Sequence, residues 1–274
     1  MALLTVDELT VEFQQRGASV RAVDRVSFTV EPGEIMALVG ESGSGKTSAA
    51  LALTRLLPMP PAIITGRVLL SEGASAPMNL LEMSDMALRT IRGKRIAYVF
   101  QDPGTSLNPV LTIGAQIIEV LEQHTAARGA AAQERAIEWL RRVEIGEAEH
   151  RLTAYPHEFS GGMQQRVMLA MAMAAEPALL IADEPTTALD VTIQVHILRL
   201  LRELQRTLRL SVLLISHDLM VVERMAHRVG VMSKGRLIER GPVQQVLHQP
   251  AHPDTQQLLR YRSMMTLRRS PSHG

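Results

Sequence analysis

Gly40-Glu41-Ser42-Gly43-Ser44-Gly45-Lys46-Thr47 is the stretch that decides how the chain is read. Before it stands Ile35-Met36-Ala37-Leu38-Val39, a short apolar run of strand type, and after it Ser48-Ala49-Ala50-Leu51-Ala52-Leu53 opens as a helix. Strand, glycine-rich loop ending in Lys-Thr, and helix are the context of a Walker A phosphate loop. Glycines let backbone N–H groups turn inward around phosphates, and the positive helix end favours the anion. Lys46 can reach the β and γ phosphates, and the Thr47 hydroxyl can ligate Mg²⁺. Gly40 through Ser48 are therefore the expected contacts of a nucleoside triphosphate.

At 274 residues, the chain has length for one large domain or two small ones. Its 46% hydrophobic and 21% charged residues are ordinary for a globular protein. A formal charge of +1 supplies no basic field for nucleic acid, and 3% aromatics leave little for base stacking, so no nucleic-acid partner is expected. The absence of cysteine excludes disulfides, thiolate metal sites and a Cys nucleophile. Met1 to Glu8 has neither a basic nor an apolar signal region. The most apolar stretch, 167–182, is interrupted by Glu176-Pro177, so any membrane role is expected to come through a partner.

Residues 3–13 and 20–30 alternate apolar and polar and read as strands, followed by a turn at Glu31-Pro32-Gly33-Glu34. The first helix is expected to run to about Leu57, before Pro58. A strand follows at 66–70, a short helix at 84–92 and a buried strand at 96–100. Residues 113–149 have helical spacing, interrupted at 126–132, and lie within a helical insertion expected over about 103–175. Ala178-Leu179-Leu180-Ile181-Ala182 and Ser211-Val212-Leu213-Leu214-Ile215 are continuous apolar runs, the pattern of central parallel strands. Thr266 to Gly274 is polar and expected to be a disordered tail.

Asp183-Glu184 ends an apolar strand, which places two acids at the carboxyl edge of a parallel sheet, where α/β proteins hold ligands. Asp183 suits a Walker B carboxylate that organises Mg²⁺, and Glu184 suits a general base that polarises water. His217 follows the next apolar strand and could stabilise charge developing at the γ-phosphate. Gln101 also ends a strand and offers an amide to Mg²⁺ or water. Ser160-Gly161-Gly162 opens a long helical run and makes a second anion site. One cassette does not need two such sites, but a head-to-tail pair does.

Across residues 3–260 the chain resembles the nucleotide-binding subunit of an ATP-binding cassette (ABC) transporter. The Walker A loop, Gln101, the Ser160-Gly161-Gly162 signature, Asp183-Glu184, Ala188-Leu189-Asp190 as D-loop and His217 as switch histidine occur in family order. The resemblance implies a P-loop NTPase of ABC type: an α/β fold with a mainly parallel core sheet, an antiparallel β subdomain and an inserted helical subdomain. It implies one nucleotide-binding domain over 1–265, with ATP and Mg²⁺ as cofactors. Phe13 is the implied aromatic stacking on adenine, Thr47, Gln101 and Asp183 the metal contacts, and Asp190 a residue communicating across the dimer. Implied partners are a second ATPase subunit, like or unlike, two permease subunits and, indirectly, an extracytoplasmic solute-binding protein. The implied location is the cytoplasmic face of the inner membrane, as a peripheral protein.

Gln101-Asp102-Pro103-Gly104-Thr105-Ser106-Leu107-Asn108-Pro109 is similar to a segment of ATPases in the peptide/nickel/opine importer group. So are 155–163 and 246–255. Two features depart from the group: no cysteine cluster for an iron–sulfur centre follows, and Asp254 stands where Tyr is usual. Di- or oligopeptides and nickel or metallophore complexes both stay open as solutes. His248, His252 and His273 read as surface histidines, and Arg260, Arg262, Arg268 and Arg269 as a solvated basic end. A soluble ABC ATPase of DNA repair or translation is the alternative. The repair type needs a far longer insertion between Thr47 and Ser160, and the translation type needs two cassettes. A P-loop kinase or GTPase leaves the signature and His217 unexplained.

Overall fold

The computed structural model describes residues 1–260 except 16, 17, 72, 74, 75, 102 and 188; for residues 15, 103 and 105 it describes the backbone alone. The chain forms two compact units, one of Met1–Glu82 and the chain from Leu214 onward, the other of Met83–Leu213.

The first unit begins with β1 (Leu4–Gln15) and β2 (Ala18–Val30), then β3 (Ile35–Gly40), α1 (Lys46–Ala52), β4 (Ala62–Leu70) and β5 (Met78–Asn79). β2, β1, β4 and β5 form an antiparallel sheet in that order. Its buried residues on β1 are Leu4, Val6, Leu9 and Val11, so the two-residue period slips once. The slip is a bulge: Glu8 has φ 49, the register with β2 shifts between Val6 and Leu9, and Glu8 N–H donates to Ser27 Oγ at 2.8 Å. α1 stops earlier than the expected Leu57. Arg55 adopts φ 52 and Leu56 N–H donates back to Leu51 O at 2.8 Å, a left-handed stop ahead of Pro58.

The second unit carries α2 (Asp85–Ile91), β6 (Ile96–Val99), α3 (Pro103–Ser106), α4 (Ile113–His124), α5 (Gly129–Arg142), α6 (Ala148–Arg151), a 3₁₀ turn at Pro156–Glu158, α7 (Gly161–Met173), β7 (Leu179–Asp183) and α8 (Val191–Leu208). Ile117, Leu121, Ala136, Trp139, Leu140 and Leu169 fill the core among α4, α5 and α7. The break before α5 is shorter than expected. The Thr125 hydroxyl donates to Leu121 O at 2.6 Å and accepts from Ala127 N–H at 3.1 Å, ending one helix and turning the chain into the next. β6 and β7 pair in parallel, and all five β7 residues are buried.

β8 (Ser211–Ile215) is cut by the boundary between units. The chain re-enters the first unit through α9 (Leu219–Met225), β9 (Arg228–Ser233), β10 (Arg236–Pro242) and α10 (Val243–His248), with a further helical stretch at 253–260. β3 pairs in parallel with β9, and β10 runs antiparallel to β9. The fold is α/β, with an antiparallel sheet and a mixed sheet rich in parallel pairs. The tail beyond Met265 lies outside the described residues, as do Arg262, Arg268, Arg269 and His273.

Candidate functional site

In the first unit β3 is buried along its whole length and delivers Gly40 at its carboxyl end. Gly45 enters α1 with φ 98, and a Cβ there would lie 2.3 Å from Ala22 O, so the position admits only glycine. The Lys46 side chain folds back into its own loop and is 6% exposed. Its Nζ donates to Glu41 O at 2.8 Å, Gly40 O at 3.0 Å and Ser44 Oγ at 3.3 Å. Thr47 is exposed and Ser48 half-buried at the start of α1. Glu41, Ser42, Gly43 and Ser44 line a cavity of about 260 Å³ with Lys234, Asp254 and Gln257.

Gly235 N–H donates to Ser44 O at 3.1 Å and Asp24 N–H donates to Gly235 O at 2.8 Å, tying the loop to β2 and the β9–β10 turn. The Arg236 hydrogen bond, at 2.7 Å, holds the Asp24 carboxyl below the usual carboxylate range, and Arg21 at 3.2 Å adds to it. Phe13 is half-buried in β1, facing Val20 on β2 and Ala62 on β4 in register. His217 is exposed. Its neighbours are fixed: Ser216 N–H donates to Leu38 O at 3.2 Å, two residues before Gly40, and Asp218 Oδ1 accepts from Met220 N–H at 2.9 Å.

In the second unit β7 ends at Asp183, which is 7% exposed. Glu184 leaves the strand with φ 47, a left-handed conformation that redirects the chain. Thr187 Oγ1 donates to Glu184 Oε2 at 2.9 Å and Thr187 N–H to Glu184 O at 3.1 Å. Gln194 Nε2 donates to Thr186 O at 2.9 Å, fastening the same turn to α8. Asp190 is the exposed N-cap of α8; Ala188 lies outside the described residues.

Ser160 is the exposed N-cap of α7, its Oγ accepting from Met163 N–H at 3.4 Å. A Cβ at Gly162 would lie 2.6 Å from Ile193 Cγ2, so close packing against α8 demands glycine there; at Gly161 the nearest atom is Leu189 Cδ2 at 3.7 Å. Gln101 is exposed just after β6, beyond the stacked rings of Tyr98 and Phe100, whose centroids are 5.7 Å apart. Asp102 lies outside the described residues.

The Thr47 hydroxyl of the first unit, and the Gln101 amide and Asp183 carboxylate of the second, each offer a hard oxygen donor of the kind Mg²⁺ takes. Elsewhere, His248 Nε2 lies 2.9 Å from Glu223 Oε1 and His252 Nδ1 accepts from Asp254 N–H at 3.1 Å. Thr187, Gln194 and Gln164 carry no motif signal of their own, and their partners emerge only once the turns are folded.

Residues 23–187 match the family described as ABC transporter. The chain belongs to the ABC transporter family. As a cassette of that family it binds and hydrolyses ATP in the service of transport, and the soluble repair reading is not favoured. It is 52% identical over 257 residues to the peptidoglycan transport ATP-binding protein YejF of Agrobacterium fabrum, covering 94% of this chain and 46% of that protein. It is 47% identical to the oligopeptide transport ATP-binding protein OppD of Bacillus subtilis, covering 98% and 73%. The same identity relates it to the dipeptide transport ATP-binding protein DppD of Escherichia coli, covering 95% and 78%. The cassette thus spans about half of the first relative and about three quarters of the other two.

Among solved structures, the cassette superposes on the dimeric, ADP- and Pi-bound MJ0796 with TM-score 0.76 and 26% identity, covering 88% of this chain and 98% of that one. It superposes on cbiO1 of Clostridium perfringens, part of the cbiONQ transporter complex, with TM-score 0.72 and 25% identity, covering 97% and 99%. Among its described residues no helix is long and apolar enough to cross a membrane.

Proposed function

We propose that this chain is the ATP-hydrolysing subunit of an importer of di- or oligopeptides. What carries the reading is the 47–52% identity, over at least 94% of this chain, to ATP-binding proteins named for peptide or peptidoglycan transport. Nickel or metallophore uptake is the weaker reading, because these relatives carry peptide or peptidoglycan names.

Residues 1–265 act as one nucleotide-binding domain, with 103–175 as its helical insert. The ammonium of Lys46 and the N–H groups of residues 40–48 bind the triphosphate, and Phe13 stacks on adenine. Thr47, Gln101 and Asp183 hold Mg²⁺, which when bound neutralises phosphate charge. Glu184 is the general base that takes a proton from the attacking water, and His217 donates a hydrogen bond to the developing charge. Ser160, Gly161 and Gly162 contact ATP held by a second ATPase chain, like or unlike, and Asp190 faces that chain. The pair docks on two permease subunits at the cytoplasmic face of the inner membrane, and a solute-binding protein outside delivers the cargo.

Glu184→Gln tests the chemistry. Hydrolysis is expected to fall by about 10²–10⁴-fold with ATP binding retained; wild-type turnover overturns the general-base role. Reconstitution with the permease subunits and solute-binding protein tests the cargo. Stimulation of hydrolysis by an oligopeptide supports a peptide importer, and stimulation by a nickel complex instead overturns it.

A further inference from the structure

Two side chains, Glu158 and Gln164, reinforce the main-chain turn that leads to Ser160. The 3₁₀ turn at Pro156–Glu158 is closed at its start by Glu158, whose carboxylate accepts from Tyr155 N–H at 2.6 Å while its own N–H donates to Tyr155 O at 3.0 Å. Phe159 N–H donates to Pro156 O at 3.1 Å. Gln164, in the first turn of α7, then reaches backwards. Its Nε2 donates to Pro156 O at 2.8 Å and to Phe159 O at 3.2 Å, while its backbone N–H donates to Ser160 O at 2.9 Å.

One planar NH₂ group thus fastens the carbonyl just before the N-cap and the carbonyl at the head of the turn. A neutral amide with two N–H groups does this; a carboxylate of the same length only accepts, and an aliphatic chain offers nothing. The clamp lies beside Ser160 and not in the phosphate loop.

We propose that Gln164 is a positioning residue for ATP hydrolysis. By tying Pro156 O and Phe159 O to the first turn of α7, it sets Ser160 Oγ and the N–H groups of Gly161 and Gly162 before a nucleotide arrives. The inference rests on the reading of Ser160-Gly161-Gly162 as the contact to ATP held by a second chain. Donors fixed in advance stabilise the reacting phosphate more than donors ordered at the moment of contact. Gln164 does not touch ATP, so its loss spares nucleotide capture by the phosphate loop.

The test uses the chain purified with its accompanying subunits, in wild-type form and as Gln164→Leu, Gln164→Glu and Gly161→Asp. Affinity for a non-hydrolysable ATP analogue is expected to stay within about twofold of wild type in both Gln164 variants, while kcat falls by about tenfold or more. Gln164→Glu adds a readout that packing alone does not move. At about pH 8 its carboxylate faces two carbonyl oxygens; towards about pH 6 protonation, favoured by those acceptors, restores one donor. Its kcat relative to wild type then rises severalfold, while the Gln164→Leu ratio stays flat. The charged or titratable groups around the turn, Arg151 over the Phe159 ring, His157 stacked on Tyr155, and Glu158, are common to all these chains and cancel in the ratio.

Wild-type hydrolysis in both Gln164 variants, with Gly161→Asp inactive, overturns the positioning role and leaves the signature reading intact. So does a slow Gln164→Glu whose ratio ignores pH, which reduces Gln164 to packing. Wild-type hydrolysis in Gly161→Asp as well removes the signature reading, and the clamp loses its purpose with it.

Discussion

Thr187 Oγ1 donates a 2.9 Å hydrogen bond to Glu184 Oε2, three residues earlier in a turn whose first residue is left-handed. One carboxylate oxygen of the proposed base is thereby held in a fixed direction. Thr187→Val keeps the volume and removes the donor. Turnover is expected to fall by about tenfold with little change in KM for ATP, because the base is misaimed and the nucleotide contacts are untouched. Thr187→Ser should restore most of the loss. Steady-state hydrolysis of the three chains decides it.

Gly45→Ala should abolish ATP binding. The added Cβ would sit 2.3 Å from Ala22 O at φ 98, so the loop must leave its place between β3 and α1. Titration with a fluorescent ATP analogue is the measurement. Gly43→Ala is milder, since a Cβ there meets nothing within 4 Å and only its positive φ resists.

Gly162→Ala pushes against Ile193 Cγ2 at 2.6 Å, so α7 and α8 are expected to separate locally at a cost of about 1–3 kcal/mol. Ile193→Ala removes the opposing methyl group. The double variant should therefore be more stable than the sum of the two single losses predicts, by at least about 0.5 kcal/mol. Denaturant melts followed through Trp139, the chain's only tryptophan and part of the same unit's core, supply all four values.

Asp24 carries an acid dependence. Its folded pKa lies below the unfolded value near about 3.9, so its contribution is present above that value and is lost as pH falls through the lowered folded one. Asp24→Asn should lower Tm at neutral pH, and the gap from wild type should close below about pH 4. A constant gap from about pH 7 to about pH 3 contradicts this.

Much of this architecture is legible in the chain because its signals are local. The phosphate loop reads from eight consecutive residues, and β7 announces itself as apolar run followed by two acids. Where the reading stopped short, the cause is non-local or conformational. The end of α1 depends on Arg55 turning left-handed, which no side-chain pattern dictates. The bulge at Glu8 is visible only as a slipped alternation, and Ser27 on the next strand stabilises it. Thr187 and Gln164 look like ordinary polar positions, because their partners are turns that exist only after folding. Phe13 is the opposite case: its strand is plain from the sequence, and its pairing with Val20 and Ala62 follows from that strand.

The posture of Lys46 has a consequence for how a nucleotide enters. Three acceptors of its own loop already meet its ammonium, and an ammonium has three hydrogens. A phosphate oxygen therefore arrives as a substitute for a resident partner. What changes is the charge of the partner, from carbonyl and hydroxyl dipoles to an anion. Discrimination at this lysine is then a matter of ligand charge: adenosine has nothing to exchange, and the β and γ phosphates make the exchange favourable.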